Sequence, residues 1–166
     1  MKKLFLASAI LFSVASVNAQ DTKTTTTTGG GTSFQIAGNV GTGTKTGLKT
    51  TFGGDVQVDI PVGTGLKITG SAGYQNQRFD LGSGFTGHFS FVPILVGAKV
   101  PFGKMYAHGQ LGYAINTSKG AGGHFSYAPS LGVLLSMVDL SLKYLSISDV
   151  NSVMLRAAIA LGGSKK

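Results

Sequence analysis

From Ser33 onward, apolar and polar residues alternate with a period of two, the pattern of strands that turn one face to apolar surroundings. The alternation falls into eight segments: 33–40, 51–60, 66–76, 89–100, 105–116, 125–136, 138–145 and 153–161. Most approach the roughly 9–11 residues that a tilted strand needs to cross a bilayer. The expected connections also alternate. Those at 61–65, 101–104 and 136–137 are tight, whereas 41–50, 77–88, 117–124 and 146–152 are longer and rich in glycine or polar residues. Short turns at one end and longer loops at the other are the habit of outer-membrane barrels. The pattern predicts an all-β fold, an eight-stranded antiparallel up-and-down transmembrane β-barrel over residues 33–162, with its N-terminus on the periplasmic side.

A repeat supports this expectation. Gly70-Ser71-Ala72-Gly73-Tyr74 leads to Gly87-His88-Phe89-Ser90-Phe91-Val92-Pro93, and Gly109-Gln110-Leu111-Gly112-Tyr113 leads to Gly123-His124-Phe125-Ser126-Tyr127-Ala128-Pro129. Each copy reads as a hairpin, and a row of like hairpins loses its edges only by closing. The dyad period puts Phe34, Ile36, Val56, Leu111, Leu131, Leu142, Leu155 and Ile159 among the outward positions. Tyr74, Phe89, Phe91, Tyr113, Phe125, Tyr127 and Tyr144 lie toward the long-loop ends and are expected to form an outer aromatic girdle. Around 92–100 both faces read as apolar and the register is ambiguous. Pro93 and Pro129 cannot donate to a ladder, so bulges or distorted pairing are expected there.

Composition removes other classes. Glutamate and tryptophan are absent and all six acids are aspartate, which leaves no material for an exposed amphipathic helix. Lys2 and Lys3, the apolar run 4–14 and Val17-Asn18-Ala19 read as a cleaved signal peptide, residues 1–19. Residues 20–32 read as a flexible Thr/Gly-rich leader, and 163–166 as a polar tail. There is no cysteine, so no disulfide framework, lipoprotein anchor or thiolate chemistry is expected. The formal net charge is +8, but no basic stripe interleaved with aromatics is present, so nucleic acid is not an expected partner. The expected partners are outer-membrane lipid, lipopolysaccharide and the outer-membrane assembly machinery. The address implied is the cell outer membrane of a Gram-negative bacterium.

The opposite parity gives a polar interior. Asp55, Asp59, Lys67, His108, Gln110, Asp139, Lys143 and Arg156 form its predicted charged and polar network. Asp59 and Lys67 are equidistant from Gly63 and are expected to face one another. Asp139 is expected to stand between Lys143 and Arg156. Charges inside a narrow barrel must be paired, and eight strands enclose a space that side chains fill. A plugged polar lumen follows, with a narrow water-filled pore for small solutes as the alternative.

His88-Phe89-Ser90 and His124-Phe125-Ser126 offer the residue types of a lipid A-modifying enzyme, but no acid stands nearby in sequence to orient the histidine. They read instead as a copied interface feature, and no catalytic residue is expected. No metal or cofactor is expected either, because nothing completes a ligand set around His88 and His124. The runs Gly41-Thr42-Gly43 and 120–123 lack the lysine and helix start of a phosphate loop.

The stretches 91–102, 109–113, 125–132 and 138–144 resemble the small outer-membrane β-barrel proteins common in Bacteroidota, grouped with OmpA/OmpX-type or "porin family" barrels. The resemblance covers residues 33–162 and implies an outer-membrane barrel without implying an activity. It departs from the pattern at the end, where many such barrels finish on an aromatic residue and this sequence reads Leu161-Gly162-Gly163-Ser164-Lys165-Lys166. The expected role is that of a non-enzymatic integral membrane protein, structural or surface-interacting.

Overall fold

Eight strands follow one another in the computed structural model: β1 (Ser33–Gly43), β2 (Leu48–Pro61), β3 (Lys67–Asp80), β4 (Thr86–Phe102), β5 (Met105–Asn116), β6 (Gly123–Leu135), β7 (Val138–Ile147) and β8 (Val150–Leu161). The structure describes residues 31–63, 65–80, 82, 86–117, 122–148 and 150–161. The signal peptide, the leader up to residue 30 and the tail lie outside the described residues. Each strand pairs antiparallel with its sequence neighbours, and β1 also pairs with β8 from Phe34–Leu161 to Gly43–Ser152. The sheet is therefore a closed barrel with no free edge.

The dyad sorts the faces. Phe34, Ile36, Val56, Leu111, Leu131, Leu142 and Ile159 are exposed on the outer wall, and Leu155 is 64% exposed. The alternate positions, Gln35, Asp55, Gln57, Asp59, Ser71, Gln75, Gln110, Asp139, Ser141 and Arg156, are buried. This inversion, apolar outside and polar inside, is what a barrel immersed in hydrocarbon requires. Close approach across the interior calls for a bare backbone at some inward positions. A Cβ on Gly73 would stand 2.8 Å from Asp55 Cβ on the adjacent strand.

Some local expectations change. Several strands run further than the hydrophobic pattern suggested, so the connections at their ends shrink. β7 and β8 are separated only by 148–149, as short as the turns at 103–104 and 136–137. Pairing of Ile147 with Val150 and a 2.7 Å contact from Ser146 Oγ to Asn151 Oδ1 zip this end together. Ser148, at φ 52°, supplies the left-handed residue such a tight connection needs. The end holding 62–66, 103–104 and 136–137 is called lower here, and the other end upper.

Pro93 and Pro129 each interrupt a ladder, the distorted pairing expected of them, but neither causes a bulge. The β3–β4 ladder stops at Ala72–Ile94 and resumes in the same register at Gln75–Phe91. The β6–β7 ladder skips likewise between Ser130–Lys143 and Tyr127–Ser146. Each proline lacks an N–H for one neighbour and stays in register with the other, Ala114 and Gly109 respectively. A register shift occurs instead on β2, between Leu48 and Thr51.

Candidate functional site

The interior is built in tiers. In the lower tier Lys99, 1% exposed, places Nζ 2.9 Å from Asp59 Oδ2 and 3.3 Å from Asp139 Oδ2. Gln35 Nε2 donates to the same two carboxylates at 3.3 and 3.2 Å. Gln57 Nε2 donates to Asp59 Oδ1 at 2.6 Å, and the Tyr106 phenol donates to Asp139. The Lys99 ammonium also stands 4.4 Å from the centroid of the Tyr106 ring. Two carboxylates thus share one lysine, and three neutral donors complete their shells. Without those donors the desolvation of three ions would exceed their mutual attraction.

The middle tier centres on Arg156. Its Nε lies 3.1 Å and its Nη2 2.8 Å from Asp55 Oδ1, a forked contact that only a guanidinium can make. Arg156 Nη1 donates to Gln35 Oε1 at 3.2 Å, which links this tier to the one below. Asn39 Nδ2 donates to Asp55 Oδ2 at 2.8 Å. Gln110 Nε2 donates to Ser71 Oγ at 2.8 Å, and Thr69 Oγ1 and His108 Nε2 share a bond of 2.8 Å. Lys143 is buried at this level, with no carboxylate within ion-pair distance among the described residues.

The upper tier sets an apolar cluster beside a few polar groups, Ser152 Oγ donating to Gln77 Oε1 at 2.8 Å. Phe91, Leu95, Ala114, Ala128, Leu145, Ile147 and Met154 pack together, with Phe89 and Val150 against them. Phe79, Phe89 and Phe91 form a ladder of rings with centroids 5.6 and 5.2 Å apart. A hollow at this level, lined by Gln75, Phe91, Ile147 and others, amounts to about 10 Å³. That is at the threshold for a single water.

The predicted interior residues come together with three corrections. Asp59 pairs with Lys99, not Lys67. The β2–β3 connection is closed by Val62 N donating to Leu66 O, which sets Asp59 opposite Thr69 and Lys67 opposite Pro61. Lys67 is left half-buried at the lower rim. Asp139 does not stand between Lys143 and Arg156; Asp55 is the acid that Arg156 holds. Phe89 and Phe91 do not belong to an outer girdle, because they face inward. Tyr74, Tyr113, Phe125 and Tyr127 are exposed on the outer wall, and Tyr144 is half-buried there, 6.2 Å from Tyr127 between centroids.

The two copies of the repeat explain that last correction. Tyr74 and Tyr113 both face outward, but the spacers from Tyr74 to Gly87 and from Tyr113 to Gly123 differ by an odd number of residues. The motif that follows therefore lands on opposite faces. His88 and Ser90 face outward with Phe89 and Phe91 inside, whereas Ser126 is buried inside with Phe125 and Tyr127 outside. Ser90 Oγ accepts from Tyr74 OH at 2.7 Å and from Asn76 Nδ2 at 2.9 Å. Ser126 Oγ is fully buried, with no hydrogen-bond partner among the described residues. The histidine–serine pairs are thus neither equivalent nor assembled with an acid. Among the described residues no group of three histidines or acids is placed to hold a metal ion.

No family model matches the chain, and no curated protein matches it. Its fold is that of transmembrane barrels of known structure. It is similar to Ail, the attachment invasion locus protein of Yersinia pestis, solved in complex with the heparin analogue sucrose octasulfate, at 18% identity and a TM-score of 0.54 over 80% of this chain and 99% of that one. A de novo designed transmembrane β-barrel matches at 14% identity and a TM-score of 0.55, over 78% of this chain and 95% of that one. The outer-membrane enzyme PagL matches at 15% identity and a TM-score of 0.51, over 76% and 99%. At such identities the likeness is one of fold.

Proposed function

We propose that this chain is an integral outer-membrane barrel protein, not an enzyme, with a plugged lumen and a structural or surface-interaction role. The observation that carries this reading is the inversion of the barrel, an apolar outer wall around an interior filled by the tiers of Lys99, Arg156 and Phe91. An apolar wall closed on itself suits hydrocarbon and has no use in water. Interior charges that are bonded to each other have little capacity left for passing solutes. The Ser90 hydroxyl is engaged and Ser126 is sealed, so among the described residues neither of these two serines stands with a base and an orienting acid. Ail, described as an attachment protein, uses the same fold, which supports a surface role.

The test uses the refolded protein in detergent. Unboiled, it migrates as a compact species that heating converts to a slower one, and in planar bilayers it shows no steady conductance. Recovery in soluble form without detergent would overturn the membrane reading. Steady conductance would replace the plug with a narrow pore. Release of acyl chains from lipid A would replace the non-enzymatic role with an enzymatic one.

A further inference from the structure

The outer wall breaks its apolar pattern at the upper end of β2–β4. Tyr74, Asn76 and Arg78 succeed one another on the outer face of β3, beside Phe52 on β2 and Ser90 and His88 on β4. Asn76 and Ser90 are buried despite facing outward, and both are tied to the wall. Tyr74 OH and Asn76 Nδ2 donate to Ser90 Oγ, and Thr117 N donates to Ser90 O at 3.0 Å. Above this patch the Arg78 guanidinium carbon lies 5.9 Å from the centroid of the Phe52 ring. Arg78 and its cross-strand neighbour His88 are both exposed. Among the described residues no carboxylate is within ion-pair distance of Arg78. Asp80 lies on the same face but accepts from Gly82 N at 3.0 Å and faces Lys49 Nζ at 3.9 Å. On the neighbouring strands β5 and β6 the exposed wall is aromatic and aliphatic, with Tyr113, Ile115, Phe125 and Tyr127.

We propose that Arg78, with His88 opposite it, binds the phosphate of an outer-leaflet lipid whose apolar part lies on Phe52 and Tyr74. The inference rests on the outer-membrane reading given above. A guanidinium presents forked donors that match phosphate oxygens, and its contact with Phe52 limits the freedom lost when it binds. Its height is that of a headgroup, just above the aromatic belt where the hydrocarbon ends. The order along the wall is therefore apolar, aromatic, cationic, which is the order of an acidic lipid read from tail to head.

The experiment refolds the full chain in detergent, adds phosphorylated lipid A or the same lipid with its phosphates removed, and counts retained lipid by native mass spectrometry. One basic residue at a membrane surface contributes ~1 kcal/mol, so the wild type should prefer the phosphorylated lipid about fivefold. Arg78→Gln should abolish the preference and His88→Gln should reduce it, while Lys104→Gln, at the lower rim, should leave it intact. A preference that survives Arg78→Gln, or that Lys104→Gln removes equally, would overturn the site. Displacement of the lipid by inorganic phosphate or sucrose octasulfate at matched charge would assign Arg78 to soluble anions instead. Failure of the wild type to acquire a heat-modifiable fold in detergent or lipid would sink the membrane reading and this one together. A normal fold without lipid preference would sink only this one.

Discussion

The ring of Tyr106 lies across the bare backbone of Gly132 on the adjacent strand. A Cβ at Gly132 would stand 2.3 Å from Tyr106 Cζ and 2.4 Å from its hydroxyl oxygen. The phenol reaches Asp139 only because position 132 carries no side chain. Gly132→Ala is therefore expected to push the ring aside and cost about 1–3 kcal/mol, as overpacked cores do. The urea midpoint of the refolded protein in detergent micelles checks this. Tyr106→Phe should keep the packing and lose only the bond to Asp139, giving a smaller shift.

The shared lysine makes a sharper prediction. Lys99→Met leaves Asp59 and Asp139 adjacent with no cation between them, and is expected to cost about 3–5 kcal/mol. Asp59→Asn is expected to cost less, since Asp139 still holds Lys99. In the double mutant the loss should be smaller than the two single losses added together, as for any directly bonded pair. Lys67→Ala, at the half-buried rim, should change stability by less than about 0.5 kcal/mol. A large loss for Lys67→Ala with additive effects at Lys99 and Asp59 would restore the pairing expected from sequence alone.

At the middle tier, the geometry of Arg156 can be separated from its charge. Arg156→Lys keeps a cation but gives up the fork onto Asp55 and the bond to Gln35, so it should destabilise by about 1–3 kcal/mol. Arg156→Ala should cost more, because Asp55 then stays buried with Asn39 as its one bonded donor among the described residues. Thermal unfolding of the two variants under identical conditions ranks them.

Leu155 tests the surroundings of the wall. Among the described residues it is the most exposed of the large apolar side chains. Leu155→Arg is expected to cost about 2–4 kcal/mol when folding is measured into lipid vesicles, the penalty for a cation facing hydrocarbon. A wall facing water would tolerate the same change without loss.

Much of this barrel is legible in the sequence, and the misses share a cause. Alternation locates every strand and assigns most faces, because parity is a local property of a pleated chain. Pairing across strands is not local. Asp59 meets Thr69 rather than Lys67 because the intervening connection closes through Val62 and Leu66, a detail that hydropathy does not encode. Lys99 is hard to read from sequence because its inward neighbours on β4 are Phe91, Pro93, Leu95 and Gly97, which disguise a lumen-facing strand as an apolar one. Phe89 and Phe91 face the interior rather than the girdle because one motif, repeated after spacers of different parity, changes face. The polar patch of Asn76 and Ser90 gave no signal, since buried outward polar residues look like any others in a list of letters.

The clamp between Arg156 and Asp55 also bears on how the barrel is made. Its two residues are 101 positions apart, and Arg156 and Gln35 are 121 apart. No hairpin, and no run of hairpins short of the last strand, can form these contacts. Until β8 docks on β1, the carboxylate of Asp55 has only Asn39 as a bonded donor inside a half-rolled sheet. The final zipping step thus converts an electrostatic liability into a lock. Contacts of such long sequence separation place the ring closure late in the folding reaction. A chain cut before β8 would then accumulate as an unsealed, easily proteolysed intermediate rather than as a smaller barrel.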